Sequence, residues 1–244
     1  MKLTSYYKFY HLLKSGRNRL LIIEAARLLK QRYLVLRFDT NFLCNLRCLS
    51  CFFSKKDIKK EFLPAMDLEL YRKIADDLYP RTRLLFLSCG GEPLMSKRFD
   101  KYLDIAAEYQ IPYLGYTTNG MLLNDRFIEA SIRNGVREIS FSVDGATPET
   151  YARLKRRGNL ETVMENIRNL IEHKRKAGVE FPEIRFNYTL SRDNVEEMLP
   201  FLEIAAEHDG RTIKFRHFME WGGELNFMEK SLLYHRDLYN RQYE

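Results

Sequence analysis

Three of the four cysteines in this chain share one short stretch, and their spacing suits metal chemistry. Cys44, Cys48 and Cys51 follow a Cys-x3-Cys-x2-Cys pattern, whereas Cys89 stands apart from them. A disulfide framework would spread its cysteines along the chain, so this clustering favours a metal or catalytic site. Three thiolates in one loop can each bind one iron of a [4Fe–4S] cube, which leaves the fourth iron without a protein ligand. An open coordination position is what a reactive metal centre needs.

Two plainer interpretations of these thiols stay open. A zinc site could combine the three cysteines with Cys89 or a histidine, although zinc usually takes paired ligands from two separate segments. The cysteines could also be buried side chains that bind nothing. For Cys89 alone, the role of a small buried hydrophobic residue is the preferred interpretation.

The elements that position this loop follow from the hydrophobic pattern. From residue 33 onward, short apolar runs rich in branched and aromatic residues alternate with helical stretches. We predict strands at 33–39, 84–88, 113–117, 138–143, 184–189 and 212–218. We predict helices between them at 68–78, 99–109, 125–134, 160–177 and 195–208. This alternation predicts an α/β fold, a partial (β/α)6 parallel barrel with an N-terminal helical extension.

Each unusual polar or glycine-rich cluster follows one of the first four predicted strands. In chain order these clusters are the cysteine loop, Gly90-Gly91-Glu92-Pro93, Thr118-Asn119-Gly120 and Ser142-Val143-Asp144-Gly145. Ligands in parallel α/β folds bind at the carboxyl ends of the strands, so we expect the four clusters to converge on one site.

These motifs, in this order and after these strands, resemble the radical S-adenosylmethionine (SAM) superfamily. The resemblance covers about residues 33–217. It is closest to the group that contains SPASM-type peptide-modifying enzymes and the enzyme that catalyses the first step of molybdenum-cofactor synthesis. It implies a [4Fe–4S] cluster on Cys44, Cys48 and Cys51, with SAM bound at the open iron. No cysteine follows Cys89, so we expect the C-terminal auxiliary-cluster domain of SPASM-type relatives to be absent from this chain.

The resemblance also implies an activity. In this family a reduced cluster cleaves SAM, and the resulting 5′-deoxyadenosyl radical abstracts hydrogen from a substrate. The expected enzyme would take electrons from a donor such as a flavodoxin or ferredoxin and would act on a peptide or small molecule. The protein itself would contribute binding and orientation.

Within the glycine-rich motif, the resemblance gives each residue a role toward SAM. Glu92 offers a carboxylate to the SAM ammonium through a charge-assisted hydrogen bond. Gly90 and Gly91 let the backbone approach closely, and Pro93 stiffens the turn. An ordinary tight turn is the alternative for this segment.

The clusters after the third and fourth strands are expected to complete the SAM pocket. Thr118 and Asn119 would line it, although a turn role suits them equally. Ser142 would contact the SAM carboxylate or ribose and Asp144 a hydroxyl, while the same residues also suit a turn or a helix cap. Lys155 stands where many relatives have an arginine for the SAM carboxylate, and it lacks the bidentate guanidinium fork. A solvated face formed by the run Lys155-Arg156-Arg157 is the equal alternative.

The net charge of +7 is concentrated at the N-terminus. Residues 1–34 contain eight Lys or Arg and one acid, and the remainder of the chain is neutral. We predict a basic helical extension at 1–32, with one helix or two over about 6–31 that would be divided at Gly16, and a core domain at 33–244. A zinc-stabilised nucleic-acid-binding module that uses this basic segment is the alternative function. No nucleic-acid motif appears, so we do not expect a nucleic-acid partner, and a cluster-bearing regulatory or scaffold protein is the third hypothesis.

Composition excludes several other classes of protein. With 45% hydrophobic and 30% charged residues, the chain is an ordinary globular sequence and not a disordered or collagen-like one. No apolar run approaches the ~18 residues of a membrane span, and the first residues lead into no apolar core of a secretory signal. We therefore expect a cytoplasmic protein.

Overall fold

The computed structural model describes residues 16–52, 65–88, 90–219 and 226–241. The strands are β1 (Leu34–Phe38), β2 (Arg47–Cys48), β3 (Thr82–Leu87), β4 (Tyr113–Thr118), β5 (Glu138–Ser142), β6 (Lys155–Arg156), β7 (Glu183–Leu190) and β8 (Gly210–His217). The helices are α1 (Gly16–Leu28), α2 (Leu68–Leu78), α3 (Phe99–Glu108), α4 (Asp125–Arg133), α5 (Pro148–Leu154), α6 (Leu160–Ala177), α7 (Met198–Glu207), α8 (Phe227–Lys230) and α9 (Arg236–Asn240). Short 3-10 helices lie at Tyr79–Arg81, Pro93–Met95, Val195–Glu197 and Leu232–Tyr234.

Six of the strands form one sheet in the order β1-β3-β4-β5-β7-β8. Every neighbouring pair in this sheet is parallel, so successive strands are joined by crossovers. The predicted α/β fold and partial (β/α)6 parallel barrel are confirmed. The sequence pattern did not predict α5 or the second, two-stranded sheet, in which β2 pairs antiparallel with β6.

The hydrophobic core lies between the sheet and the helices. Strand β7 shows how the sequence builds it, because its buried and half-buried residues alternate strictly. Phe186 on β7 packs against Phe141 on β5, with ring centroids 6.2 Å apart, and both are fully buried. Val163 and Ile167 on α6 belong to the same cluster and cover this outer face of the sheet.

Three helices that follow strand ends begin with a capping side chain. Asn124 accepts a hydrogen bond from the backbone at the start of α4, Thr147 does so at α5 and Asn159 at α6. Such caps satisfy N–H groups that have no partner inside the helix. They also fix the loops between strand and helix, where the predicted site residues lie.

The described part of the predicted N-terminal helix is largely exposed. Helix α1 confirms helical structure within the predicted 6–31, and residues 6–15 of that prediction lie outside the described residues. Leu20 and Leu21 are 68% and 60% exposed, so these side chains contribute little to the core. The division of domains at residue 32 stays a prediction. Among the described residues, no helix combines the length and apolar character needed to cross a membrane.

Candidate cofactor site

A cavity of about 180 Å³ opens at the carboxyl ends of the parallel strands. Its lining contains every predicted site residue except Pro93, namely Cys44, Cys48, Cys51, Gly90, Gly91, Glu92, Thr118, Asn119, Ser142, Asp144 and Lys155. Pro93 is buried as the first residue of the 3-10 helix Pro93–Met95. Residues of the four clusters therefore converge on one cavity, as expected.

The cysteine loop is attached to the far side of the cavity through the two short strands. Cys48 on β2 pairs with Lys155 on β6, and the Leu49 N–H donates to the Leu154 carbonyl at 3.0 Å. Leu46 is fully buried and anchors the loop. This pairing sets the cysteine loop against the segment that follows α5.

A second contact ties the cysteine loop to the end of β4. The Asn119 side-chain amide donates to Asn45 Oδ1 at 2.8 Å and lies 3.9 Å from Cys44 Sγ. The Asn119 Oδ1 accepts from the Met121 N–H at 3.0 Å, so Asn119 also forms the local turn expected from its sequence. The pocket and turn interpretations of this residue thus describe one arrangement.

The three thiols are half-buried, and burial opposes their ionisation. Burial raises the pKa of Cys44 to about 12 and raises the pKa of Cys48 above its ordinary value. Since metals bind thiolates, loading this site must release protons. Coordination to iron would supply the positive charge that these buried thiolates lack.

The donor set of three thiols fits a cluster. Among the residues that the structure describes, no three His, Cys, Asp or Glu side chains are grouped so as to hold one metal ion. In an iron–sulfur cluster each thiolate binds its own iron, so three cysteines around one cavity need not converge on a point. The zinc interpretation that adds Cys89 falls on a residue outside the described ones.

Residues at the end of β1 hold the glycine-rich loop. Asp39 Oδ1 accepts hydrogen bonds from the Gly90 and Gly91 N–H groups at 2.9 and 3.1 Å. The Asn41 side-chain amide donates to the Glu92 carbonyl at 3.0 Å. A Cβ on Gly91 would lie only 2.5 Å from the Asn41 carbonyl oxygen, so this position requires glycine for close approach of two backbones.

The strand that enters this loop ends in an uncommon backbone conformation. Ser88 has a φ of +83°, in the left-handed region that side chains other than glycine rarely occupy. Its hydroxyl donates to the Gly91 carbonyl at 2.7 Å, which stabilises that conformation. Such strain persists when surrounding contacts impose it, and it is frequent at functional sites.

Glu92 is buried and already occupied by contacts inside the protein. Its Oε1 accepts from the Thr118 hydroxyl at 2.7 Å and from the Leu94 N–H at 3.1 Å, and its Oε2 accepts from the Asn119 N–H at 2.7 Å. Burial raises the pKa of Glu92 to about 7, although these hydrogen bonds act to lower it. A carboxylate has about four acceptor sites, so roughly one remains for a ligand. The tight-turn alternative for this segment is also part of the structure, since Glu92 caps the 3-10 helix Pro93–Met95.

Asp144 and Lys155, which the resemblance placed near SAM separately, form a buried ion pair. The Lys155 Nζ lies 2.9 Å from Asp144 Oδ2, and the side chains are 9% and 7% exposed. Asp144 Oδ1 also accepts from the Thr189 N–H at 2.7 Å. Burial opposes the charge on Lys155, but the charges of Asp144, Cys48 and Tyr151 together outweigh it and hold the pKa of Lys155 above its ordinary value. Lys155 is therefore a cation fixed at the cavity wall beside Cys48.

Sequence reasoning missed four polar residues that build the site. Asp39 and Asn41 follow β1, Ser88 follows β3, and Thr189 lies near the end of β7. Thr189 and Ser88 line the cavity, while Asp39 and Asn41 support its glycine-rich wall. The rule that polar residues at strand ends converge applies to them as well, and would have found them.

A parallel α/β sheet with a cysteine-lined cavity at its strand ends defines a cofactor-binding α/β domain. The model of the radical SAM superfamily matches residues 40–203, which is more than half of the chain. The chain belongs to the radical SAM superfamily of enzymes. The cofactors of this family are a [4Fe–4S] cluster and SAM, and the donor set of the cavity fits the cluster.

Curated relatives fall in the group that the sequence motifs indicated. The chain is 28% identical over 173 residues to the tungsten-containing aldehyde ferredoxin oxidoreductase cofactor-modifying protein of Pyrococcus furiosus, covering 68% of this chain and 46% of that protein. It is 26% identical over 204 residues to the GTP 3′,8-cyclase of a Synechocystis species, covering 83% of this chain and 59% of that one. The chain thus spans about half the length of the curated relatives it matches.

Solved structures share the fold at low sequence identity. Streptococcus suis SuiB bound to S-adenosylmethionine aligns with a TM-score of 0.67 and 15% identity, over 93% of this chain and 51% of that chain. Native anSMEcpe with bound AdoMet aligns with a TM-score of 0.61 and 18% identity, over 86% of this chain and 60% of that chain. At such identities the likeness concerns the fold.

Proposed function

We propose that this chain forms the catalytic core of a radical SAM enzyme, with the cluster on Cys44, Cys48 and Cys51 and SAM in the adjoining cavity. The observation that carries this proposal is that the three cysteines and the glycine-rich motif line one cavity. When bound, the two cofactors supply reductive cleavage of SAM and a 5′-deoxyadenosyl radical that takes hydrogen from a substrate. The chain itself binds and orients SAM and the substrate and excludes water from the cavity.

In this proposal some residues of the cavity wall contact SAM, and others hold the contacting residues in place. In this proposal the remaining acceptor site of Glu92 takes the SAM ammonium. Ser142 and the remaining N–H groups of Lys155 face the SAM carboxylate or ribose, and Asp144 holds Lys155 in place.

The backbone around Glu92 has a supporting part. Gly91 lets the loop lie against the backbone of Asn41, and in this proposal Gly90 leaves room for SAM to approach. Thr118 and Asn119 fix the Glu92 carboxylate, and Pro93 fixes the turn that follows it.

Substrate and partners are proposed more broadly. The relatives named above include a GTP cyclase and a cofactor-modifying protein, and SuiB has been solved bound to the precursor peptide SuiA. We propose a small-molecule or peptide substrate and an electron donor such as a flavodoxin or ferredoxin. Clustered thiols that must stay reduced favour the cytoplasm. The division into a basic extension at 1–32 and a core domain at 33–244 is part of the same proposal.

Anaerobic reconstitution with iron and sulfide tests the proposal. We expect the protein to bind iron and sulfide and, with SAM and a reductant, to form 5′-deoxyadenosine, measured by liquid chromatography and mass spectrometry. Replacing Cys44, Cys48 or Cys51 with alanine should abolish iron loading, and Cys89→Ala, the control thiol, should retain it.

Three results would contradict this function in different ways. Unchanged iron content in Cys48→Ala would remove the cluster assignment, and zinc in place of iron would favour the binding-module hypothesis. Full iron loading without 5′-deoxyadenosine would favour a scaffold or regulatory protein.

A further inference from the structure

The face of the sheet opposite the helices carries an unusual set of cations. On β8, Ile213 and Phe215 pack against the hydrophobic core. Lys214 and Arg216 alternate with them and are exposed, so they project from the opposite, inner face. On β8 the inner face is therefore basic, whereas the outer face is apolar.

The register of the strands places these cations next to the cofactor cavity. Arg216 is paired with Thr189 on β7, and Thr189 lines the cavity. Lys214 is paired with Asn187, which is paired in turn with Ser142, another lining residue. Paired residues of parallel strands project from the same face. The two cations thus border the space into which the cavity opens.

The opposite edge of the sheet contributes to the same space. Arg37 lies on the edge strand β1, with its guanidinium 5.1 Å from the centroid of the Phe86 ring. Burial, followed by the charges of Arg216, Arg185 and Arg37, lowers the pKa of Lys214 on the other edge strand. The six-stranded sheet is a partial barrel, so its inner face is concave and its two edge strands, β1 and β8, border the same space. We call Arg37, Arg185, Lys214 and Arg216 the inner basic cluster.

The part of the chain that the structure describes neutralises the charge of this cluster only in part. Arg185 lies 3.0 Å from the buried carboxylate of Glu138. Among the described residues, no carboxylate lies within ion-pairing distance of Arg37, Lys214 or Arg216. Neighbouring like charges repel each other, and a bound anion would remove that repulsion.

We propose that the inner basic cluster binds an anionic group of the substrate, a phosphate or carboxylate of a small molecule. Lys and Arg side chains bind such groups through charge-assisted hydrogen bonds. Bound there, the anion holds the rest of the substrate against the cavity that lies beyond Thr189 and Ser142. This inference rests on the proposed function, because it assigns the substrate class of the same site.

Isothermal titration with two anionic probes tests the inference. Inorganic pyrophosphate represents phosphates and citrate represents carboxylates, each titrated into cluster-loaded protein. We expect at least one probe to bind, and the variant Lys214→Gln/Arg216→Gln to bind it ~10- to 100-fold more weakly. Two charged donors are lost, but both are exposed, so water screening reduces what each contributes. The control is Arg211→Gln, a cation on the same strand that lies at the register shift near the start of β8 and within ion-pairing distance of carboxylate oxygens of Glu180 and Asp209. This variant should stay within about twofold of wild type. The probe that binds identifies the group.

The outcomes separate this inference from the proposed function. Equal affinity in wild type and the double variant would overturn it, as would the absence of binding by both probes in wild type. If the double variant does not fold, the single variants Lys214→Gln and Arg216→Gln decide the question by the same titration. Iron content and substrate-free formation of 5′-deoxyadenosine, measured on the same samples, report on the proposed function independently of anion binding.

Discussion

Removing one partner of the Lys155–Asp144 ion pair should destabilise the fold far more than removing one partner of an exposed pair of equal length. The Nζ–Oδ2 distance is 2.9 Å, and both side chains are less than a tenth exposed. Asp144→Asn keeps an oxygen that can accept the Thr189 N–H, so the substitution removes chiefly the charge. A buried cation left without its carboxylate costs ~3–5 kcal/mol of unfolding free energy.

The chain offers a matched control on α2. Lys73 and Glu69 also approach to 2.9 Å, but their side chains are 70% and 81% exposed. Exposed pairs at this helical spacing contribute ~0.3–0.5 kcal/mol because water screens them. Glu69→Gln should therefore change stability by less than ~1 kcal/mol. The two pairs differ in burial and not in length, so the comparison isolates the environment.

Urea unfolding of metal-free protein, followed by circular dichroism, measures both effects. In a separate thermal unfolding experiment, a loss of ~3–5 kcal/mol of unfolding free energy corresponds to a fall of ~6–20 °C in the melting temperature of a domain of this size. The double variant Asp144→Asn/Lys155→Met should lose less than the sum of the single variants, with a coupling energy of ~2 kcal/mol or more. Additive losses of stability, or an Asp144→Asn protein as stable as Glu69→Gln, would refute this reasoning. Either result would show that Lys155 and Asp144 do not form a buried ion pair in solution.

The remaining predictions concern the glycine-rich wall. Glu92→Gln should lower SAM affinity ~10- to 100-fold at equal iron loading, since it removes a charge-assisted hydrogen bond, and equal affinities by titration would remove Glu92 from the SAM site. Gly91→Ala should destabilise the protein by ~1–3 kcal/mol, because its Cβ would meet the Asn41 carbonyl oxygen. Gly16→Ala is the control in urea unfolding, because nothing lies within 4 Å of a Cβ there, and a Gly91→Ala protein as stable as that control would show that the loop can move aside.

Most of the fold could be predicted because its main strands and helices are long enough for the spacing of their apolar residues to show a strand or helix periodicity. The pattern of β7, with apolar side chains on one face, is visible over eight residues, and the helices between strands repeat similarly. Helix α5 and the strands β2 and β6 are too short for any period to appear. The pairing of Cys48 with Lys155 joins residues far apart in sequence, and only the folded chain brings them together.

The roles of individual side chains were harder to predict than their location. The sequence shows that Glu92 and Asp144 follow parallel strands, and this was enough to place both at the cavity. It does not show whether a carboxylate faces a ligand or a backbone N–H group, because both arrangements have the same local sequence. Likewise, the inner basic cluster is scattered over three strands and forms only when the sheet curves.

Three carboxylates at the cavity join neighbouring strand ends in the same way. Asp39 after β1 reaches the loop after β3, Glu92 reaches the end of β4, and Asp144 after β5 reaches β7. The N–H groups they accept belong to Gly90, Gly91, Asn119 and Thr189. Each bond crosses to the adjacent strand, so together they fix the loops around the cavity before any ligand binds. A substitution at Glu92 or Asp144 should therefore disturb the loops in addition to removing its own contact at the cavity. Ser142, which projects from the inner face of β5, should affect affinity with less loss of stability.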